Sequence, residues 1–440
     1  MSTRAPMRIS RSWTASTGIL RAERVVGDVP SGTAAQSIAD GMGGRPKPIG
    51  SAPRRSAGGR TTSRADVAGI RQTRGMPKPA STARLRAARL AAHGLRDGLP
   101  SITDAVRRLG AVQAQDFVAA KWVLGARVPG SVAADVDAAL ESRDVVRSWP
   151  MRGTLHILPT EQLRPILWIT GPRELRRAAL THRTLELDDE TYLRARAVAE
   201  RVLADGAMSR EQLTAAWEDA GISTAGQRGY HLIWWLALEA VICCGPVDGR
   251  TQRFVLLDDW APQQGALPER DEILAGLFTS YVAGHGPVTV QDFAWWAGLT
   301  LGDARTALAA AGDAVVAFDA ERVVVADAGW AADPDAAAPR AAGRHALAAF
   351  DEYFLGYRDR APVCEPLHAG RVVPGGNGVF QPILVAGGAV EGLWKVARAR
   401  GGASVALHGF DGDLEPARYR SALARWARFT GERLDAVTTA

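Results

Sequence analysis

Gln113-Ala114-Gln115 is the stretch whose residue types and spacing best suit joint chemistry. On a helix, positions two apart diverge by about 200°, whereas on an extended strand they share a face. If the stretch is extended, Gln113 and Gln115 address one point in space. Gly110 suits the C-terminal cap of a preceding helix and Asp116 the N-cap of a following one, which leaves just enough non-helical chain between them. Read alone, a solvated polar pair in a turn is the commoner use of glutamine.

The elements that would position this pair follow from periodicity. Helices are predicted at Ile102–Leu109, Phe117–Ala126 and Val132–Leu140. Two short strands then follow, Val145–Trp149 and Gly153–Ile157, joined through Pro150-Met151-Arg152. Helices completed by a hairpin are the order of a winged helix. The same order recurs with Tyr192–Leu203, a Ser209/Gln212 capping box, Gln227–Ala240 and a hairpin of Val241–Gly245 with Arg253–Leu257 around Asp248-Gly249. It recurs again from Asp271–Ala283 to a hairpin of Val315–Ala317 with Val323–Ala326. Beyond an Asp/Pro/Ala linker at 333–343, strands at Phe380–Val385, Ala389–Lys395 and Ser404–Leu407 have the spacing of a small barrel, and Pro416–Thr430 closes the chain as a helix ending at Gly431. The expected fold is α+β and mainly helical: three tandem winged-helix units (76–185, 186–262, 263–332), then a small β-barrel with a C-terminal helix (344–440).

At 440 residues and 47% hydrophobic content, the chain is long enough for about three domains and a sizeable core. Its longest apolar runs, such as Leu232–Val241, fall far short of the roughly 20 residues a membrane span needs. Cys243, Cys244 and Cys364 form no CxxC pair, so neither a zinc site nor a disulfide framework is suggested, and a reducing cytoplasm is the expected setting. The net charge of +6 resembles a nucleic-acid signal until it is divided along the chain. Residues 1–75 hold 13 Lys/Arg against 4 Asp/Glu, which leaves 40 against 43 in the remainder, a balance of −3. Overall charge is therefore no argument that the body binds DNA. Residues 1–75 are Arg-, Gly-, Ser- and Pro-rich without sustained apolar period, so disorder is expected there, as a basic tether or as an upstream extension with Met76 as the true start.

Several stretches together resemble the winged-helix family of the crosslink-repair DNA glycosylases AlkZ and YcaQ. They are Gln113-Ala114-Gln115, Met151–His156, Gly286–Thr289 with Asp292–Trp296, Phe350–Tyr353 with Gly356-Tyr357, and Gly387–Trp394. The resemblance spans about residues 80–430. It implies three winged helices and a β-barrel arranged as a C around double-stranded DNA, and a Gln-x-Gln motif serving hydrolysis of the N-glycosidic bond of alkylated purines, N7-guanine crosslinks included. YcaQ-type members carry aspartate at the second position, where this chain has Gln115, and Asp116 comes one residue late. The AlkZ side is therefore the nearer match.

Two amides cannot act as general acid or base, which ordinary glycoside hydrolysis requires. An N7-alkylated guanine already bears positive charge and leaves as a neutral base. What remains is to position water, and fixed geometry alone supplies several kcal/mol. The expected function is a monofunctional DNA glycosylase acting on bulky or crosslinked N7-alkylpurines, with no cofactor, no metal, no Schiff-base lysine at the motif and a monomeric state. An open site suits a base still tied to the opposite strand. The alternative is a non-enzymatic winged-helix DNA-binding regulator. Candidate DNA contacts are Arg152, His156, Arg358, Arg360 and Lys395, each also readable as structural or solvated. Of the adjacent pair Asp351 and Glu352, one is expected to pair with an arginine. The tryptophan pairs 234/235 and 295/296 are at helix-core spacing.

Overall fold

A computed structural model describes residues 80–248, 251–328, 343–376 and 378–440. The basic tail, most of the 333–343 linker and Gly249 of the second hairpin turn lie outside the described residues. The fold is α+β, and about half of the described residues are helical.

Helices α1 (Thr82–Ala92) and α2 (Ile102–Leu109) lead into β1 (Val112–Gln113), followed by α3 (Phe117–Gly125), α4 (Ala133–Glu141), β2 (Val145–Met151), β3 (Thr154–Pro159) and the long α5 (Thr160–Thr184). The middle of the chain supplies α6 (Asp189–Leu203), β4 (Met208–Ser209), α7 (Arg210–Asp219), α8 (Arg228–Leu238), β5 (Ile242–Asp248), β6 (Thr251–Leu256) and α9 (Leu257–Trp260). Next come α10 (Arg270–His285), α11 (Val290–Ala297), α12 (Leu301–Ala311) and a separate hairpin of β7 (Val315–Ala317) with β8 (Val323–Val325). Ser209 and Gln212 form the expected capping box on α7.

The first two hairpins are not independent wings. They join through β2 and β5, with Arg147 opposite Cys244, into one six-stranded sheet of order β1-β3-β2-β5-β6-β4. The first hairpin also turns later than expected. β2 runs through Pro150 to Met151, and the turn is Arg152-Gly153, both at positive φ (55° and 66°), the geometry of a two-residue primed turn.

The small barrel expected over 344–440 is an open sheet of five strands: β9 (Arg344–Leu347), β10 (Ile383–Ala386), β11 (Ala389–Ala399), β12 (Gly402–Gly409) and β13 (Leu434–Thr439), in the order β13-β12-β11-β10-β9. Closure fails because β13 adds parallel to β12 at one edge while β9 forms the other, and the two edges do not pair. Two short helices, α13 (Glu352–Leu355) and α14 (Pro366–Val372), lie between β9 and β10. The last helix, α15 (Arg420–Thr430), buries Leu423 and Trp426 and ends at Gly431 in the left-handed conformation.

Apolar burial divides between two main cores. One gathers the middle of the chain, with Trp149, Trp217, Trp234 and Trp296. The other unites α2–α4 with the C-terminal sheet, for example Val123 and Leu124 with Leu384 and Trp394. β1 lies on the seam: Ala111 belongs to the first core, Val112 and Ala114 to the second. Gly284 of α10 presses on the end of α2, where a Cβ would collide with the Arg108 carbonyl and lie 2.8 Å from Leu109 Cα. The helix that delivers the glutamine motif is thereby held by backbone contact. Among the described residues no helix is long and apolar enough to cross a membrane.

Candidate active site

Local chemistry builds the motif as its residue types demand. Ser101 Oγ caps α2 by accepting from Asp104 N, and Gly110 ends it at φ 73°. Asp116 then caps α3, its Oδ1 accepting from Ala119 N at 3.0 Å. Between the caps the chain is extended and pairs with β3, Val112 opposite Ile157 and Gln113 opposite His156. Ala114 N donates to Leu155 O at 2.7 Å. Ala114 and Leu155 therefore occupy a hydrogen-bonded position, and Gln113 with His156 a non-hydrogen-bonded one, where side chains approach more closely.

The ladder stops after two residues because side chains replace its next rungs. The Ala114 carbonyl accepts from Arg147 Nη2 at 2.8 Å and Nε at 3.2 Å. Leu155 N donates to Gln115 Oε1 at 3.2 Å. A backbone N–H needs the carbonyl end of the amide, so the Gln115 oxygen is engaged by Leu155. Gln113 differs. Its side-chain amide makes no hydrogen bond among the described residues, although the residue is only 9% exposed. The two glutamines lie against the same strand but are not equivalent: one amide is anchored, the other unclaimed.

His156 is fully buried and holds Arg152. Its Nδ1 lies 2.8 Å from the Thr154 carbonyl, which only accepts, so Nδ1 carries the proton and Nε2 accepts from Arg152 Nη2 at 3.1 Å. Burial, then the neighbouring Arg152 charge, lowers the His156 pKa to about 3. The imidazole is thus a neutral acceptor, not a proton donor. Arg152 in turn lies 5.3 Å from the Trp295 ring centroid, and Arg360 lies 4.8 Å from the same ring. Burial and the Arg152 charge push Arg360 down to about 10, opposed by Asp292. Arg152 Nε and Arg360 Nη2 are buried without a hydrogen-bond partner. Both vacant donors are enclosed by protein, so what the pair presents outward is its charge.

The structure therefore brings together Gln113, Gln115, Arg152 and His156, and joins Arg360 to them through Trp295. It does not bring in Arg358 or Lys395 by any contact. Arg358 is exposed, with its backbone N donating to Asp292 Oδ1, and Lys395 is exposed on β11 opposite Ala406. Three neighbours escape a reading of the sequence. Arg147 braces Ala114, Trp295 is half-buried under two arginines, and Glu352 Oε1 accepts from Gln113 N at 3.2 Å. Arg147 sits on an expected strand, and nothing local marks its partner. Of Asp351 and Glu352, Asp351 is the one paired with an arginine, Arg127.

A pH dependence follows from His156. Its folded pKa lies below the unfolded value of about 6.5, so its stabilising contribution is complete above pH 6.5 and is lost as pH falls toward 3. The slope approaches about 1.4 kcal/mol per pH unit for this residue. Urea denaturation from pH 7.5 to 4.5 should show stability falling with acid, and His156→Asn should flatten the slope by close to one proton; an unchanged slope would contradict the assignment.

The model of the AlkZ-like DNA glycosylase family matches residues 106–429, most of the chain. The chain belongs to this family. The interstrand DNA cross-link repair glycosylase of Streptomyces sahachiroi is 26% identical to it over 318 residues, 68% of this chain and 82% of that protein. The solved structure of Streptomyces sahachiroi DNA glycosylase AlkZ superposes with a TM-score of 0.70 at 23% identity, covering 82% of this chain and 100% of that one. The structural likeness extends the shared fold beyond the segment matched by the family model. Within this AlkZ-like chain, the matched span holds Gln113, Gln115, Arg152, His156, Arg358, Arg360 and Lys395.

Proposed function

We propose that the chain is a monofunctional DNA glycosylase that hydrolyses the N-glycosidic bond of N7-alkylated purines, bulky and interstrand-crosslinked adducts included, in DNA repair. The observation that carries this reading is the unclaimed amide of Gln113 beside the anchored amide of Gln115 on an edge strand, in a chain of the AlkZ-like glycosylase family. Gln113 Oε1 accepts a hydrogen bond from the attacking water, and the Gln115 NH2 orients it or the sugar. Neither amide takes up a proton, and the neighbouring His156 is held neutral with its Nδ1 proton committed to Thr154 and its Nε2 occupied by Arg152, so the proton that the attacking water loses once its oxygen has bonded to the sugar carbon passes to bulk solvent. The leaving group must therefore depart without protonation, which a cationic N7-alkylpurine does.

A lyase step through an amine is not part of the reaction. Lys121, the lysine nearest in sequence to the motif, is held by both Asp137 oxygens at 2.6 and 2.7 Å. Double-stranded DNA is the partner. Arg152 and Arg360 contribute positive charge toward backbone phosphate, with His156 holding Arg152 in place, and the exposed Arg358 and Lys395 add phosphate contacts that position the duplex. The enzyme acts as a monomer in the cytoplasm, on the nucleoid.

Substrate range tests this chemistry. The purified chain should release N7-methylguanine from duplex DNA and leave uracil untouched, because a neutral base needs the proton this site lacks. Robust uracil excision, measured as alkali-labile sites, would show that another group supplies an acid and that the amide-only mechanism is wrong.

A further inference from the structure

We propose that Glu352 is a positioning residue for Gln113: its buried carboxylate, held by Trp296 and His285, fixes the backbone of β1 from behind. This rests on the reading of Gln113 as the water-binding residue. At a non-hydrogen-bonded position the Gln113 N–H points away from β3, and β1 is the edge of its sheet. A buried N–H must find a partner. It finds Glu352 Oε1 at 3.2 Å, across 239 residues of sequence.

The carboxylate is fixed in turn. Glu352 is fully buried at the first position of α13, directly after the cap Asp351. Its Oε2 accepts from Trp296 Nε1 at 3.1 Å and faces His285 Nε2 at 3.3 Å. His285 Nδ1 lies 3.1 Å from the Tyr281 carbonyl, an acceptor only, so Nδ1 carries a proton. One further proton must then lie between Nε2 and Oε2, which makes the contact a hydrogen bond in either protonation state. Tyr357 donates to the His285 carbonyl at 2.6 Å and Tyr281 to the Gly356 carbonyl at 2.8 Å, tying α10 to the segment after α13. The result is a rigid frame behind one backbone amide.

Merely satisfying one N–H would take no more than a carbonyl, and a buried carboxyl is a costly way to supply one. What the carboxyl adds is a second oxygen: Oε1 meets the Gln113 N–H while Oε2 is pinned by Trp296 and His285, so the acceptor is fixed in place at the residue whose side chain must hold water. Among the charges acting on Arg152, Glu352 exerts the largest pull, so the same group lies behind both sides of the site.

The test uses the full chain and duplex DNA containing N7-methylguanine, under single turnover at saturating enzyme, with duplex affinity measured in parallel. Loss of folded protein lowers the amplitude of release, whereas mispositioning lowers its rate constant. Glu352→Gln keeps one acceptor oxygen and should lower the rate constant about 10- to 100-fold with affinity within twofold, as expected of a displacement near 1 Å. Trp296→Phe, which removes one donor to Oε2, should lower it less, and Glu352→Ala more. If Glu352→Ala does not fold, the other two variants decide. Should Gln113→Ala be inactive while Glu352→Gln and Trp296→Phe keep the wild-type rate constant, the positioning role is overturned and the catalytic reading stands. Wild-type rates in Gln113→Ala would remove the catalytic reading itself.

Discussion

Gln113→Ala is expected to lower the single-turnover rate of N7-methylguanine release by roughly 10²–10³-fold, the scale of losing one preorganised group at a reacting centre. Fold stability should hardly change, because the Gln113 side chain makes no hydrogen bond among the described residues. Gln115→Ala is expected to behave differently. It too should slow the reaction, but it leaves Leu155 N–H without the acceptor it now has at 3.2 Å, at a cost of about 1–3 kcal/mol. Thermal melts and rate constants on both variants separate the roles: a free amide that does chemistry and an anchored one that also closes the end of β1. Equal stability losses in the two variants would contradict this asymmetry.

The second large effect concerns the joint between α3 and the C-terminal segment. Arg127 and Asp351 are both fully buried, and the guanidinium meets both carboxylate oxygens at 2.8 and 3.0 Å. Arg127 Nη1 also donates to the Val123 carbonyl at 2.6 Å, and Nη2 to His93 Nδ1 at 3.3 Å. His93 Nε2 then donates to Tyr357 Oη, whose own proton goes to His285 O, so the ring is neutral, as its burial also demands. Asp351→Ala strands a guanidinium in this environment and removes the α13 cap to Tyr353 N. A loss of about 3–5 kcal/mol in urea denaturation is expected, as for breaking one side of a buried pair. A paired Arg127→Met/Asp351→Leu variant should recover part of it, because no lone charge then remains. A single variant within 1 kcal/mol of wild type, roughly the scale of an exposed pair, would contradict this.

What is legible in the sequence is what short range decides. Gly110, Asp116 and the Ser209/Gln212 box act over three or four residues, and each caps the helix its type predicts. The spacing of Gln113 and Gln115 on an extended stretch places them against one strand, but their singling out as a motif comes from the resemblance and not from the spacing. Pairings between distant segments carry no such mark. Nothing around Arg147 or Cys244 announces that two hairpins share one sheet, and the register there rests on a single residue pair. The parallel addition of Leu434–Thr439 turns an expected barrel into an open sheet, because a six-residue strand after a helix has little signature of its own. Trp234 and Trp296 are core, as helix spacing suggests, whereas their neighbours Trp235 and Trp295 are only half-buried. Trp295 sits under Arg152 and Arg360, which are 208 residues apart in sequence, and only the fold reveals that cluster.

A duplex carrying a single N7-methylguanine, incubated with the wild-type chain and with the Gln113→Ala/Gln115→Ala double variant, decides whether the glutamine pair catalyses base release. Abasic sites should accumulate with the wild-type chain and stay at the spontaneous level with the double variant, while both bind the duplex with similar affinity. Equal abasic-site formation by the two proteins would contradict a catalytic role for the pair.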